Sequence, residues 1–208
     1  MVKSEEDAGT LKLIGGHVAL DFSNSVWRRA TARPCEILES YSCLVEWSGL
    51  AGVLSADRTA ELLKEGKQRA AEAAVVLERA VTLREAIYDV FSAVAAKKSP
   101  DPRALATLNF ELSSALCRRQ VVGDPASFGW GWRGCESALD PMLWPIAVSA
   151  AELLTSEDLH WVRECQAADC DRLFLDTSRT RRRRWCSMEW CGNREKARRV
   201  TKQSSERA

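Results

Sequence analysis

Apolar residues recur at helical intervals through much of the first 155 positions. Ile37, Tyr41, Leu44 and Trp47 are spaced by 4, 3 and 3 residues, which predicts a helix over Glu36 to Leu50, closed by Gly49 and Gly52. Ser55 is placed to cap the next helix, with Asp57 in its first turn, where a carboxylate meets the positive helix end. A long helix follows, with Val76, Ala80, Leu83, Ile87, Phe91 and Val94 on one buried stripe and Glu78, Arg79, Arg84, Glu85 and Asp89 on the other sides. Ser99-Pro-Asp-Pro102 breaks it. The next helix, about Arg103 to Leu116, is expected to bury Leu105, Leu108, Leu112 and Leu116.

Other stretches have the shorter period of strands. Leu11 to Ile14 is expected to be a short strand stopping at Gly15-Gly16, with the apolar run His17 to Phe22 continuing extended. Arg118 to Val122 and Ser127 to Trp132 form a hairpin turning at Gly123-Asp-Pro125. Asp140-Pro141 starts a helix that ends near Leu154; Pro145 either moves its start toward Met142 or kinks it. Thr155 to Asp158 is the best boundary. The expected fold is therefore α+β and mainly helical. Residues 1–156 form a helical body with a small antiparallel sheet, and residues 157–208 a zinc-ribbon-like or treble-clef-like module. Trp47, Trp144 and Trp161 fit core or domain-contact positions better than base-stacking platforms.

Composition narrows the class. The 208 residues are 46% hydrophobic and 28% charged, and no apolar stretch approaches the roughly 20 residues of a membrane helix. Met1 to Gly9 is polar and acidic, unlike a secretory signal, so the expected location is the cytoplasm. The net charge of +1 hides an asymmetry: Trp161 to Ala208 holds 13 Lys+Arg against 7 Asp+Glu, the remainder 17 against 22. An acidic body thus carries a basic arm.

The arm contains the strongest chemical signal, Cys165-x4-Cys170 and Cys186-x4-Cys191, with 15 residues between the pairs. Paired thiolates at short spacing reach one ion, and two pairs close a tetrahedral shell with no open position for catalysis. One structural zinc ion is expected; disulfides, unlinked thiols or an iron–sulfur cluster are the alternatives. Absence of an export signal argues against disulfides. Cys35, Cys43, Cys117 and Cys135 lack ligand spacing and are expected to be free thiols, Cys43 and Cys117 as small core residues. Between the pairs, Arg172 to Asp176 has strand character, Thr177 to Thr180 suits a turn, and Arg181 to Trp185 is expected to return beside the strand. Gly192 and Asn193 suit a tight turn before a basic helix over Glu195 to Lys202. With a core of little more than Leu173, Phe174, Leu175, Trp185 and Trp190, the module is expected to draw folding energy from its metal.

Arg179, Arg181, Arg182, Arg183 and Arg184 put five arginines into six positions, and Arg194, Lys196, Arg198, Arg199 and Lys202 extend the charge along the last helix. In an extended chain Arg181 and Arg183 face one way, Arg182 and Arg184 the other. One or two of these cations, Arg194 above all, are expected to pair with Asp169, Asp171, Asp176 or the acidic surface of the body. The rest are candidates for phosphate contact.

Cys191-Gly-Asn-Arg194 after Arg184-Trp-Cys-Ser-Met188, with Leu173-Phe-Leu-Asp-Thr-Ser-Arg179 upstream, closely resembles the CGNR zinc finger. Gly15-Gly-His-Val-Ala-Leu-Asp-Phe-Ser-Asn24 resembles the opening of the ABATE domain that accompanies it. Small departures, Ser25 for a frequent Thr and Thr180 for a frequent Asn, touch no ligand. The resemblance implies a bacterial, zinc-containing transcription regulator, sometimes described as stress-induced.

The expected function is nucleic-acid binding, duplex DNA ahead of RNA, with the body dimerising or sensing a small-molecule effector. The alternative is a zinc-stabilised protein-interaction or ligand-sensing module that does not touch nucleic acid. An enzyme is not expected. The chain has two histidines, His17 and His160, and lacks a G-x-S-x-G or phosphate-loop motif; an extended His17–Asp21 segment puts both on one face without contact.

Overall fold

A computed structural model describes residues 12–29 and 31–205, with side chains through Arg199. Met1 to Gly9, and Leu11 of the expected first strand, lie outside the described residues. In chain order the elements are α1 (Val18–Ser23), β1 (Val26–Trp27), β2 (Cys35–Glu36), α2 (Tyr41–Leu50), α3 (Ala56–Gln68), α4 (Ala70–Ala95), α5 (Pro102–Leu116), β3 (Arg119–Asp124), β4 (Ser127–Trp132) and α6 (Leu143–Leu154). A 3-10 turn (Glu157–Trp161), β5 (Val162–Glu164), β6 (Leu173–Leu175), a π-helical turn (Met188–Gly192) and α7 (Asn193–Ser205) follow. Among the described residues the strands make three separate two-stranded antiparallel sheets.

The periodic stripes become the core. On α4, Val76, Ala80, Leu83, Ile87 and Phe91 are buried, and α6 is apolar nearly all round because it runs through the centre. Trp47 and Trp144 are fully buried and Trp161 partly so. Ser55 caps α3, and Asp101 caps α5 with Pro102 in the first turn. Pro145 is the third residue of α6, where the backbone N–H has no intrahelical partner, so it neither breaks nor kinks the helix. The β3–β4 hairpin turns where expected, with Asp124 Oδ1 accepting from the N–H groups of Ala126 and Ser127.

Four expectations fail for identifiable reasons. Arg84 is not on an outer side of α4: it is 3% exposed and forms paired hydrogen bonds to Glu36 at 2.6 and 2.8 Å. A hydrophobic stripe cannot reveal a cation whose partner lies on β2. The helix start at Glu36 shifts to Tyr41, with Ser40 as its cap. On α5 the buried face is Ala104, Leu108, Glu111 and Ala115, while Leu105 and Leu116 are 39% and 49% exposed. Leu108 is buried and Leu112 partly buried as expected, while Ala104 and Ala115 take the places of Leu105 and Leu116 where neighbouring helices approach closely. Cys117, just after α5, is exposed rather than core, and Cys43 is partly buried.

The N-terminal run also differs. Lys12 to Ile14 forms no strand, and His17 to Phe22 is not extended; the segment turns into α1, with the Asp21 N–H bonded to the His17 carbonyl. Gly15 packs so tightly on this helix that an added Cβ would sit 2.8 Å from the Asp21 nitrogen. Its N–H donates to Asp21 Oδ1 at 2.7 Å, and its carbonyl accepts from the Leu175 N–H at 2.7 Å. Burial pushes the Asp21 carboxyl up to about 6, despite the opposing N–H groups of Gly15 and Ile14. The folded state therefore holds a proton that the unfolded chain releases near 3.8, and this contribution to stability falls as pH rises from about 4 to about 6. Burial lowers the His17 pKa, which gives an opposite slope, so the informative quantity is a difference. Asp21→Asn is expected to gain on the wild type by up to about 3 kcal/mol between pH 4 and 7. Urea unfolding at both pH values measures this; a pH-independent difference refutes it.

β6 does not pair with Arg181 to Trp185. Its partner is β5, in the register Val162–Leu175, Arg163–Phe174, Glu164–Leu173. Val162, Leu173 and Leu175 then enter the same core as α1, α4 and α6, so the segments on either side of residue 157 share one hydrophobic interior. The buried Asn24 side chain completes the join, donating to the Leu173 carbonyl at 2.7 Å and accepting from its N–H at 2.8 Å.

Candidate metal centre and its basic surround

The β5–β6 hairpin carries the first cysteine pair in its connecting loop: Cys165 follows β5, and Cys170 follows a turn closed by its N–H to the Ala167 carbonyl. Of the second pair, Cys186 precedes the π-helical turn and Cys191 lies within it. The four-residue gap suits this geometry, because the wider turn closes i to i+5, here the Gly192 N–H to the Ser187 carbonyl, and carries Cys191 back to Cys186. Ser187 Oγ caps the turn by accepting from the Trp190 N–H. No tight turn forms at Gly192-Asn193; the π turn runs straight into α7. A Cβ at Gly192 would lie 2.8 Å from Met188 Sδ, so the exposed methionine side chain lies against the glycine and would have to move aside.

The four sulfurs lie within 4.8 Å of one another. With zinc–sulfur bonds of about 2.3 Å, a tetrahedral shell has edges of about 3.8 Å. Cys170–Cys186 at 3.7 Å and Cys186–Cys191 at 3.6 Å fit that shell. The outer groups fit too: the Cys186 N–H points at Cys165 Sγ from 3.4 Å, and Arg194 Nη2 lies 3.5 Å from Cys191 Sγ. Both donors suit thiolates. Four thiols this close cannot all ionise unaided. The closeness of the other three sulfurs pushes the Cys165 thiol below its usual range and the Cys170 thiol above it. A divalent cation removes that conflict.

The arginine run is sorted by Asp176, one of the expected partners, which meets it through main-chain groups and not through an ion pair. Asp176 is fully buried, and its carboxylate accepts from Ser178 N–H and Oγ and from the Arg183 N–H. Arg181, at φ +52°, donates to the Asp176 carbonyl and lies over the Trp161 ring. Arg183 donates to the carbonyls of Trp185 and Cys186 and covers Phe174. The expected alternation thus survives without a strand: Arg181 and Arg183 turn inward, Arg182 and Arg184 outward. Arg184 bonds Gln166 Oε1 at 2.7 Å. Asp-Thr-Ser at 176–178 is a turn signal, an acceptor two residues before an N–H, and could have identified Asp176 from sequence.

On α7, Arg194 pairs with Asp169 at 2.7 Å, as expected, and Arg198 pairs with Asp169 at 3.0 Å and with Glu195 at 2.7 Å. Asp171 takes no arginine side chain of the module; it accepts from the backbone N–H groups of Arg28 and Arg29, tying the loop to the body. Arg179, Arg182, Lys196 and Arg199 are exposed, with no hydrogen bond or ion pair among the described residues. Lys202 lies in α7, its side chain outside the described residues. His17 Nδ1 is 3.3 Å from Ser149 Oγ, and the surrounding α1 segment is packed, with Ala19, Leu20, Phe22 and Ser23 fully buried. No helix among the described residues is long and apolar enough to cross a membrane.

Comparison with known families agrees with this division of parts. Residues 16–157 match the family ABATE, described as "Putative stress-induced transcription regulator", and residues 162–203 match the CGNR zinc finger. No curated protein matches the chain. The finger and the sulfur geometry together make Cys165, Cys170, Cys186 and Cys191 the site of one structural zinc ion.

Proposed function

The chain belongs to the ABATE family and carries a CGNR zinc finger, and from that premise we propose that it is a non-catalytic regulator that binds duplex DNA, in preference to RNA, through the zinc module. One observation carries the reading. After Arg181, Arg183, Arg194 and Arg198 are spent on holding the module together, Arg179, Arg182, Lys196 and Arg199 still point outward without partners among the described residues, on a loop and a helix braced by one metal knuckle. Each contact that such a cation makes with a phosphate releases counterions.

The test is binding of a labelled duplex by the zinc-loaded protein as salt is raised. A steep fall in affinity is expected. The double variant Arg179→Ala/Arg182→Ala should reduce the log–log slope by about 2, at roughly 0.9 per phosphate contact, with unchanged thermal stability. No binding at low salt, or a flat slope, would sink the proposal. Retained DNA binding by Arg182→Glu/Arg184→Glu would instead favour an acidic protein as the partner of this loop.

A further inference from the structure

We infer that the free edge of β4 is an interface through which two copies of this chain pair. This inference does not depend on nucleic-acid binding. The β3–β4 hairpin exposes more apolar surface than any other part of the described chain: Phe128 is 72% exposed, Trp130 67%, Val121 62% and Val122 43%. The register places Val121 opposite Trp130 and Arg119 opposite Trp132, so alternation puts Phe128, Trp130 and Trp132 in one row on one face. Trp132, at the base, reaches the core through Trp144, 5.9 Å away; Trp130 and Phe128 stand beyond it in solvent. The opposite face is open at this end of the strand as well, since a Cβ built at Gly129 would meet no atom within 4 Å.

Exposed strand edges are normally protected by charge, proline or a bulge. Among Ser127 to Trp132 there is no charged residue and no proline, and each residue of the strand pairs in register with β3. The edge away from β3 is therefore unprotected. The chemistry of the face selects an apolar partner. Its one cation, Arg119, already lies over the Trp130 and Trp132 rings and 3.6 Å from Glu152, leaving no unmatched charge to attract phosphate.

A second copy fits best. Two uncharged β4 edges brought together antiparallel about a two-fold axis are self-complementary, and they join two hairpins into a four-stranded sheet with one continuous aromatic row. The area suits a weak, concentration-dependent pair. At 150–250 Å² for each aromatic side chain, the exposed parts of Phe128 and Trp130, which border the edge, amount to about 300 Å² per copy. Doubled, this lies below the 1,000 Å² or so of a tight interface and in the range of transient ones.

Sedimentation of the full-length, zinc-loaded protein from about 1 to 100 µM tests the inference. The expected result is a species of twice 23.2 kDa. Trp130→Lys, and independently Phe128→Lys, should weaken the dimer by roughly 100-fold or more while leaving the helical circular dichroism and melting temperature unchanged, because both side chains lie in solvent. Phe110→Lys alters an equally exposed residue on α5 and should leave the dimer intact. A monomer at every concentration would overturn the inference. So would a dimer indifferent to both β4 variants, dissociation by Phe110→Lys, or growth beyond the dimer into open chains.

Discussion

Removing the zinc is expected to unfold the chain from Thr177 to Ser205 while the helical body and the β5–β6 hairpin stay folded. The reason lies in how the two hydrophobic clusters are built. The cluster at the metal consists of Cys165, Ala167, Phe174, Cys186 and Cys191, with Ile14, Cys170 and Trp185 against it, so the ligands themselves are most of its interior. Without the ion that cluster is a set of thiols competing for protons, with little apolar surface to hold them. Structural zinc in small fingers supplies an apparent 10–16 kcal/mol, far more than so small a cluster could replace. The hairpin has other anchors: Val162, Leu173 and Leu175 sit in the main core, Asn24 pairs with the Leu173 backbone, and Asp171 with the backbone of Arg28 and Arg29. Hydrogen exchange after chelation should show protection lost in the π turn and α7 but kept in α1, α4, α6 and β6. Cys186→Ser should reproduce the pattern, with bound zinc falling from one ion per chain to substoichiometric. Loss of protection throughout the body, or in neither part, would contradict the two-cluster account.

Asp176→Ala is expected to cost about 2–4 kcal/mol, because buried donors that bonded a charged acceptor are left unsatisfied at about 1–3 kcal/mol each. The substitution strands the N–H groups of Ser178 and Arg183 and removes the anchor on which the arginine loop is folded. Burial works against ionisation of this carboxyl, yet the hydrogen bonds from Ser178 and Arg183 overcome it and hold the pKa below its ordinary value. The sign follows: Asp176 stabilises the fold above the ordinary carboxylate range, and that contribution is lost as pH falls through its lowered value. At 2–4 °C per kcal/mol for a chain of this size, the melting temperature should drop by about 10 °C at neutral pH. Zinc should still bind, because no ligand is touched, and exchange should rise first in residues 177–185. Asp176→Asn, which keeps one acceptor but turns an NH₂ toward a donor, should fall between the two. A shift of only a degree or two would mean that the loop is held by the metal and the ring contacts instead.

The metal ligands were legible because zinc chemistry is local: thiolates at short spacing need little more than one turn to share an ion. The helices were legible for a related reason, since a stripe at 3.6-residue spacing must be buried wherever the helix lies. The N-cap at Ser55 and the β3–β4 turn are satisfied by neighbours within three residues, so they too could be read along the chain. Where partners are distant, the linear pattern misled. Arg84 looked solvated until β2 placed Glu36 beside it, and α5 buried its alanines because two helices close in on that side. β6 took β5 as its partner because Arg181 turns the chain out of extension and Asp176 draws the loop back.

The chain by itself determined that a basic, four-cysteine module follows a helical body, since composition, spacing and periodicity are properties of order along the sequence. Only the tertiary structure decided which cations are structural and which face outward. That division depends on a buried carboxylate at Asp176 and a knuckle carboxylate at Asp169, and a charge is neutralised by what lies a few ångströms away in space, whatever its neighbours in sequence.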